Sequence, residues 1–187
     1  SLYPIFKIQL GIDGLNKKHA LISAGIHGDE PAGVETICSF LENQVYLPFL
    51  EEWKLVFLPC LNPYGYDNNN RLNRKGKDLN RLFKTFFPPL EVQAAQNVLS
   101  DPFDLNLELH EDCDNRGFYL YIKATKESFL GLGKKILTDV ENVMPINKDL
   151  KIDDQISDGG MLHRLMDLDS MEWWPMAGYA SIQKVPC

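Results

Sequence analysis

No apolar run in the chain approaches the roughly 20 residues that a bilayer-spanning helix needs, so a membrane span is excluded from the reading. Basic charge is also in short supply. Lys and Arg number 19 against 26 Asp and Glu, a net charge of −7, which argues against a general nucleic-acid footprint. There is no Cys-x-x-Cys pair, hence no cysteine-based zinc or redox motif. Cys38, Cys60, Cys113 and Cys187 lie far apart and are expected to be reduced, mostly buried thiols of a cytoplasmic protein. The start, Ser1 to Phe6, lacks both the basic stretch and the long apolar core of a signal peptide; with no initiating Met, a processed N-terminus stays open. Internal repeats, low-complexity tracts and linkers are missing, so residues 1–187 are expected to form a single domain, a length that supports a real core.

What is present alternates between strand-like and helix-like patterns. Residues 3–10 read as a half-buried or edge strand, followed by a turn at Gly11 to Gly14. Residues 19–26 form a short apolar run suited to a central strand. A helix is expected from about residue 30 to 43, with Asp29 as its N-cap and Pro31 in its first turn. Residues 53–59 make another buried strand, Asn62-Pro-Tyr-Gly65 a turn, and 90–99 a helix behind Pro88-Pro89. Strands are expected at 103–109 and 117–122. A helix follows at 127–143, with Phe129, Leu132, Ile136, Val140 and Val143 on one face. Residues 153–160 read as a polar loop, 161–168 as weakly helical, and 179–185 as the beginning of a last strand cut short at Cys187. Strands alternating with helices imply an α/β fold, expected as a three-layer sandwich: a twisted mixed parallel and antiparallel sheet with helices on both faces.

Chemistry concentrates in two places. His27 and Glu30 stand three residues apart where an apolar run gives way to a helical pattern, and His110 ends another apolar run. An imidazole and a carboxylate at that spacing can converge on one ion from a strand-end loop and a first helical turn. Two His and one Glu, with a fourth position left for water, form a catalytic rather than a structural zinc set. The second place is the polar stretch Asp67 to Arg81, a solvated loop on composition alone, although unpatterned loops of that length are uncommon inside compact domains and are often functional. Arg71, Arg74 and Arg81 within it suit an anionic substrate, because a guanidinium grips a carboxylate or phosphate through paired hydrogen bonds. Asp78 is placed to orient a neighbouring basic side chain.

His27-Gly-Asp-Glu30, Asn62-Pro-Tyr-Gly65, Arg71, Gly76-Lys-Asp-Leu-Asn80-Arg81 and Leu109-His110-Glu-Asp112 together resemble the zinc carboxypeptidases of the carboxypeptidase A superfamily. Within it the compact bacterial and cytosolic-type branches are nearest, and the succinylglutamate desuccinylase and aspartoacylase group is the nearest rival. The resemblance implies one Zn2+ bound by His27, Glu30 and His110. It implies that Asn80 and Arg81 hold the free carboxylate of a peptide or small amide substrate, and that Arg71 polarises the scissile carbonyl. The activity implied is a metallocarboxypeptidase: a zinc metallopeptidase hydrolysing the C-terminal peptide bond by metal-activated water. The alternatives are deacylation of a small N-acyl amino acid and an inactive metal- or peptide-binding module.

The family's general base, a Glu on a late strand, has no counterpart motif here. Ser181-Ile182-Gln183 would align with it and place Gln at the base position; the preferred expectation is that the sequence stops short of that strand. Glu172 is read as a surface residue, and Glu111 and Asp112 as groups that orient loops. Asp153, Asp154 and Asp158 are candidates for a pocket favouring a basic terminal residue. Tyr119 and Tyr121 are expected in the core, with Tyr179 a candidate for substrate contact.

Overall fold

A computed structural model describes residues 3–12, 17–123, 127–163 and 167–183, the first three of the 127–163 stretch as backbone only. In chain order the elements are β1 (Ile8–Leu10), β2 (Lys18–Ala24), α1 (Pro31–Glu42), β3 (Trp53–Leu58), α2 (Pro63–Asp67), α3 (Leu90–Leu99), β4 (Leu105–Leu109), β5 (Leu120–Ile122), α4 (Glu127–Glu141), β6 (Lys151–Ile152), β7 (Gln155–Ile156), β8 (Met161–His163) and α5 (Met176–Ile182). They fall into two compact units, one of residues 1–111 with 168–187 and one of residues 112–167.

In the larger unit, four strands run in the order β1-β3-β2-β4. β2 is parallel to both β3 and β4, and β1 adds antiparallel at the edge, with Ile8 opposite Phe57. The central run Ala20-Leu-Ile-Ser-Ala24 can occupy that place because parallel strands buried on both faces tolerate continuous apolar sequence. Leu21, Val56 and Leu58 pack with Val92, Ala95 and Leu99 of α3 and with Met176 and Ala180 of α5. Ala20, Ala24, Leu55 and Phe57 pack instead with Val34 and Ile37 of α1. Helices therefore cover both faces, as a three-layer α/β arrangement with a mixed sheet requires. The chain leaves β2 for β3 on one side and returns through α3 to β4 on the other. This reversal beside the C-terminal end of β2 opens a crevice where ligands bind in such sheets.

Local entries into that crevice follow from side chains. Glu30, not Asp29, holds the cap position of α1 and makes no side-chain cap bond. Pro31 at the first helical position has no N–H to satisfy, so the cap is less needed. The Ala32 N–H donates to the Glu111 carboxylate, brought from the end of β4. Asn62 caps α2 by accepting from the Gly65 N–H at 3.0 Å and reaches the Arg71 carbonyl at 3.3 Å. Asn73 is buried within the polar stretch. Its side-chain oxygen accepts from the Lys75 and Lys77 N–H groups at 3.0 Å each, and its amide donates to Glu91 at 3.2 Å. The stretch from 67 to 81 is thus an internally bonded loop rather than a solvated strap.

The smaller unit departs from expectation in several places. Residues 151–156 form a hairpin, β6 with β7, whose turn residues Asp153 and Asp154 have φ of 49° and 58°. Two consecutive left-handed residues make the type I′ turn that matches strand twist, a geometry Asp tolerates better than most residues. Met161–His163 is a strand parallel to β5, not a helix: Met161 and Leu162 are buried while His163 is exposed. On α4 the inward side carries Leu130, Gly133 and Leu137; Leu132 and Val143 are exposed, and the Phe129 side chain lies outside the described residues. Tyr119 and Tyr121 are not core residues, since their hydroxyls donate to Asp112 and Asp153 at 2.5 Å.

The end of the larger unit also differs. Residues 176–182 are helical, with Pro175 as N-cap and Gln183 as C-cap. The Tyr179 N–H donates to the Pro175 carbonyl at 3.0 Å and the Gln183 N–H to the Tyr179 carbonyl at 3.4 Å, the four-residue spacing of a helix that no strand makes within itself. Gln183 therefore does not occupy a strand position, and its alignment with a strand-borne base fails. Tyr179 packs against Phe83 in the core. Residues 184 and 185 of the expected strand lie outside the described residues, as do 186 and 187 and, in the expected turn, Asp13 and Gly14. Cys38, Cys60 and Cys113 are free thiols, and Cys113 is exposed rather than buried.

Gly28, beside His27, has no room for a side chain. A Cβ there would lie 2.0 Å from the Gly65 carbonyl carbon and 2.3 Å from the Tyr66 nitrogen, both backbone atoms that cannot swing aside. Gly76, with φ +67°, has open space around it. Gly28→Ala is expected to destabilise by about 3 kcal/mol or more, through overpacking. Gly76→Ala should cost only about 1–2 kcal/mol, through backbone strain alone. Denaturant unfolding of the two variants checks the order; equal losses would contradict it.

Candidate active site

His27, Glu30 and His110 meet at the C-terminal ends of β2 and β4. Each offers one donor atom, and the three atoms lie within 4.8 Å of one another. The Glu30 carboxylate sits between the imidazoles: Oε1 is 2.6 Å from His27 Nδ1, and Oε2 is 2.8 Å from His110 Nδ1. The rings are 5.3 Å apart. His27 and Glu30 are almost fully enclosed, whereas the His110 side chain keeps 34% of its surface in solvent. Such a site is sealed on two sides and open on the third.

The opposite ring nitrogens face carboxylates. Asp78 Oδ1 stands 3.3 Å from His27 Nε2, a close ion-pair contact rather than a well-formed hydrogen bond. Glu108 Oε2 stands 3.9 Å from His110 Nε2. Burial opposes ionisation of Glu30, but hydrogen bonds from His110 and His27 outweigh it and hold the carboxyl down to about 2. Burial likewise disfavours a charged His110, yet the Glu108 and Glu30 carboxylates raise it to about 9. His27 is raised for the same reason by Asp78 and Glu30 against its own burial.

The donor set fits a metal. Both Nδ1 atoms and the carboxylate converge, and the proton each Nδ1 shares with Glu30 is one a cation would displace. The carboxylates behind Nε2 are the partners that fix tautomer and ring orientation in histidine metal sites. Two His and one carboxylate suit zinc with an open position.

Asp78 is also the hub of the basic groups. Its Oδ2 accepts from Arg71 Nε at 3.3 Å and Arg81 Nε at 3.2 Å, and its Oδ1 accepts from the Asn80 N–H at 3.0 Å. His27 first, then the charges of Arg71 and Arg81, outweigh the burial cost and hold the Asp78 carboxyl down to about 2. The expected orienting role is met, and the contact to His27 was beyond the sequence pattern. Arg71 Nη1 reaches to 3.4 Å from Glu30 Oε1, next to the donor trio. Arg81 stays half exposed, its guanidinium stacked 4.2 Å over the Trp173 ring. The Asn80 side-chain oxygen accepts from the Met176 N–H at 2.8 Å, leaving its NH2 as the available donor. Arg74 lies on the exposed part of the loop. Glu111 serves α1 and donates its N–H to Glu30 at 3.2 Å, an orienting role as expected, and Glu172 is exposed. Glu108 and Trp173 carried no sequence signal beyond strand alternation from His110 and proximity to Pro175.

Sheet, strand-end donors and basic loop define the zinc carboxypeptidase-like superfamily of hydrolases. Within it, residues 16–132 match the succinylglutamate desuccinylase/aspartoacylase catalytic domain, and the chain belongs to that family. No curated protein sequence matches it. The fold is shared with the "putative metallopeptidase" of Shewanella amazonensis SB2B (TM-score 0.79, 21% identity over 96% of this chain and 70% of that one) and with its namesake from Shewanella baltica OS155 (TM-score 0.72, 26% identity, 86% and 64%). It is shared as well with the tripeptide-bound cell shape determinant protein Csd4 of Helicobacter pylori (TM-score 0.64, 18% identity, 97% and 48%). The chain thus spans between about half and 70% of these proteins. No helix among the described residues is long and apolar enough to cross a membrane.

The shifted groups set a pH window for the metal-free protein. Glu30 and Asp78, both lowered, contribute stability that is present above their ordinary values of 4.5 and 3.8 and lost as pH falls toward 2. His110, raised, contributes stability that is complete below 6.5 and lost as pH rises through about 9. Stability in chelator is therefore expected to peak between about pH 5 and 6.5. Glu30→Gln should flatten both flanks in denaturant titrations across pH.

Proposed function

We propose that the protein is a zinc-dependent metallocarboxypeptidase that removes the C-terminal residue of a peptide. The observation that carries this reading is the single Asp78 carboxylate joining His27 of the donor trio to Arg71 and Arg81. It sets a carboxylate clamp at a fixed distance from a metal-binding trio, which is the arrangement an exopeptidase requires.

In this reading His27, Glu30 and His110 hold one zinc ion, which supplies a water of lowered pKa and polarises the substrate carbonyl when bound. Arg81, with its Nε committed to Asp78, presents its two Nη groups to the terminal carboxylate in the paired geometry guanidinium favours. Asn80 adds its NH2. Arg71, between the trio and Asp78, stabilises negative charge developing on the carbonyl oxygen.

A second reading is favoured by the family match itself: hydrolysis of the amide bond of a small N-acyl amino acid, using the same trio and clamp. Assay of zinc-loaded protein against a mixed peptide library and a panel of N-acyl amino acids, with product masses recorded, separates the two. Single-residue trimming supports the first, and acyl release alone supports the second. Zinc binding with neither would leave a binding module, and no zinc uptake under zinc-replete conditions would sink both. Arg71→Ala is expected to lower kcat by about 10²–10³. Arg81→Ala should act mainly on KM, by about tenfold or more. His27→Ala should abolish zinc retention.

A further inference from the structure

The segment 171–176 runs alongside the loop 80–84 and is tied to it at successive positions. The Met176 N–H donates to the Asn80 side chain at 2.8 Å, and the Phe83 N–H to the Trp174 carbonyl at 3.3 Å. Lys84 Nζ donates to the Met171 carbonyl at 2.6 Å and lies 5.5 Å over the Trp174 ring. Trp174 is itself fixed, its indole N–H donating to the Leu168 carbonyl at 2.8 Å. Against this braced strip, the Trp173 ring lies under the Arg81 guanidinium at 4.2 Å.

An arginine side chain has several rotatable bonds, and one hydrogen bond at Nε leaves rotation that would swing its Nη groups through solvent. Stacking on an indole removes that freedom without occupying a donor, because the ring face attracts the cation through its quadrupole. Among the described residues, Arg81 makes its hydrogen bond through Nε to Asp78 alone. Face held by Trp173 and inner edge held by Asp78, the guanidinium keeps its outer edge unspent.

We propose that Trp173 is a positioning residue that sets the carboxylate preference of the site by holding the Arg81 guanidinium flat with its Nη edge free. This deepens the proposed function and rests on its assignment of Arg81 to a substrate carboxylate. Trp173 touches no reacting group; it acts through Arg81. Loss of the indole face should weaken recognition of a free carboxylate while leaving affinity for the rest of the ligand and for metal unchanged.

The test is an NMR titration of the metal-free full chain, where no turnover intervenes, with the tripeptide Ala-Ala-Phe and with its C-terminal amide. The readout is the ratio of the two dissociation constants in wild type, Trp173→Ala, Trp173→Leu and Trp173→Phe. Wild type should prefer the acid; Trp173→Ala and Trp173→Leu should each cut that preference roughly fivefold, and Trp173→Phe should restore most of it. Trp173→Leu keeps apolar bulk without a π face, so it serves if the alanine variant does not fold. A wild-type preference undiminished in folded Trp173→Leu would overturn the proposal and leave the clamp reading intact. No preference in wild type would overturn the clamp reading, and this inference with it.

Discussion

One carboxylate, Asp78, joins two kinds of chemistry that would otherwise be independent. Its two oxygens separate the duties: one faces His27 and the other the two arginines. A carboxylate so enclosed is costly to strip of water unless its lone pairs are all used, and here cations and the Asn80 N–H use them. The consequence is rigidity. The His27–Glu30–His110 trio and the basic groups cannot shift relative to each other without leaving a buried charge unpaired. The close backbone approach of Gly28 to Gly65 and Tyr66 brings the loop that carries Asp78 against the loop that carries His27. Bulk at that one position would pry the two apart.

A similar economy governs Glu30. It stands where a helix cap belongs but gives its side chain to two histidines, so the helix takes a proline with no N–H to satisfy and a carboxylate from another strand end. Helix geometry and donor geometry are thus met by different residues, Glu111 for the first and Glu30 for the second.

Much of this was legible in the sequence because it rests on local pattern. The apolar run of β2, the helical spacing of Val34, Ile37 and Leu41, and the helix behind Pro88-Pro89 each declare themselves within ten or twelve residues. The donor trio was legible for a related reason, since His27 and Glu30 share one turn of chain and His110 ends a strand. Illegible were features created by contact between distant segments. Trp173 under Arg81 depends on two stretches about ninety residues apart, and the reach of Glu111 to α1 on two that are 79 apart. The C-terminal helix was misread because Tyr179 to Val185 is too short to declare a helical period, and its backbone bonds begin upstream, where the Tyr179 N–H donates to the Pro175 carbonyl. The hairpin at 151–156 was hidden by its Asp-Asp turn, whose polarity reads as loop until the backbone angles are seen.

Strand order carries a consequence for the folding reaction. One partner of β2 is the next strand along the chain, β3, but the other is distant: Ala24 pairs with Leu109 across eighty-five residues of chain, and the connection to β3 must close as well. Loop-closure entropy is spent before such contacts return anything, which places this topology among slow folders. His110 cannot meet His27 and Glu30 until β4 has docked, so the three donors assemble only on a nearly complete sheet. An ion bound by all three recognises the finished sheet and scarcely any earlier state, and it would act mainly on the rate of unfolding rather than on the rate of folding.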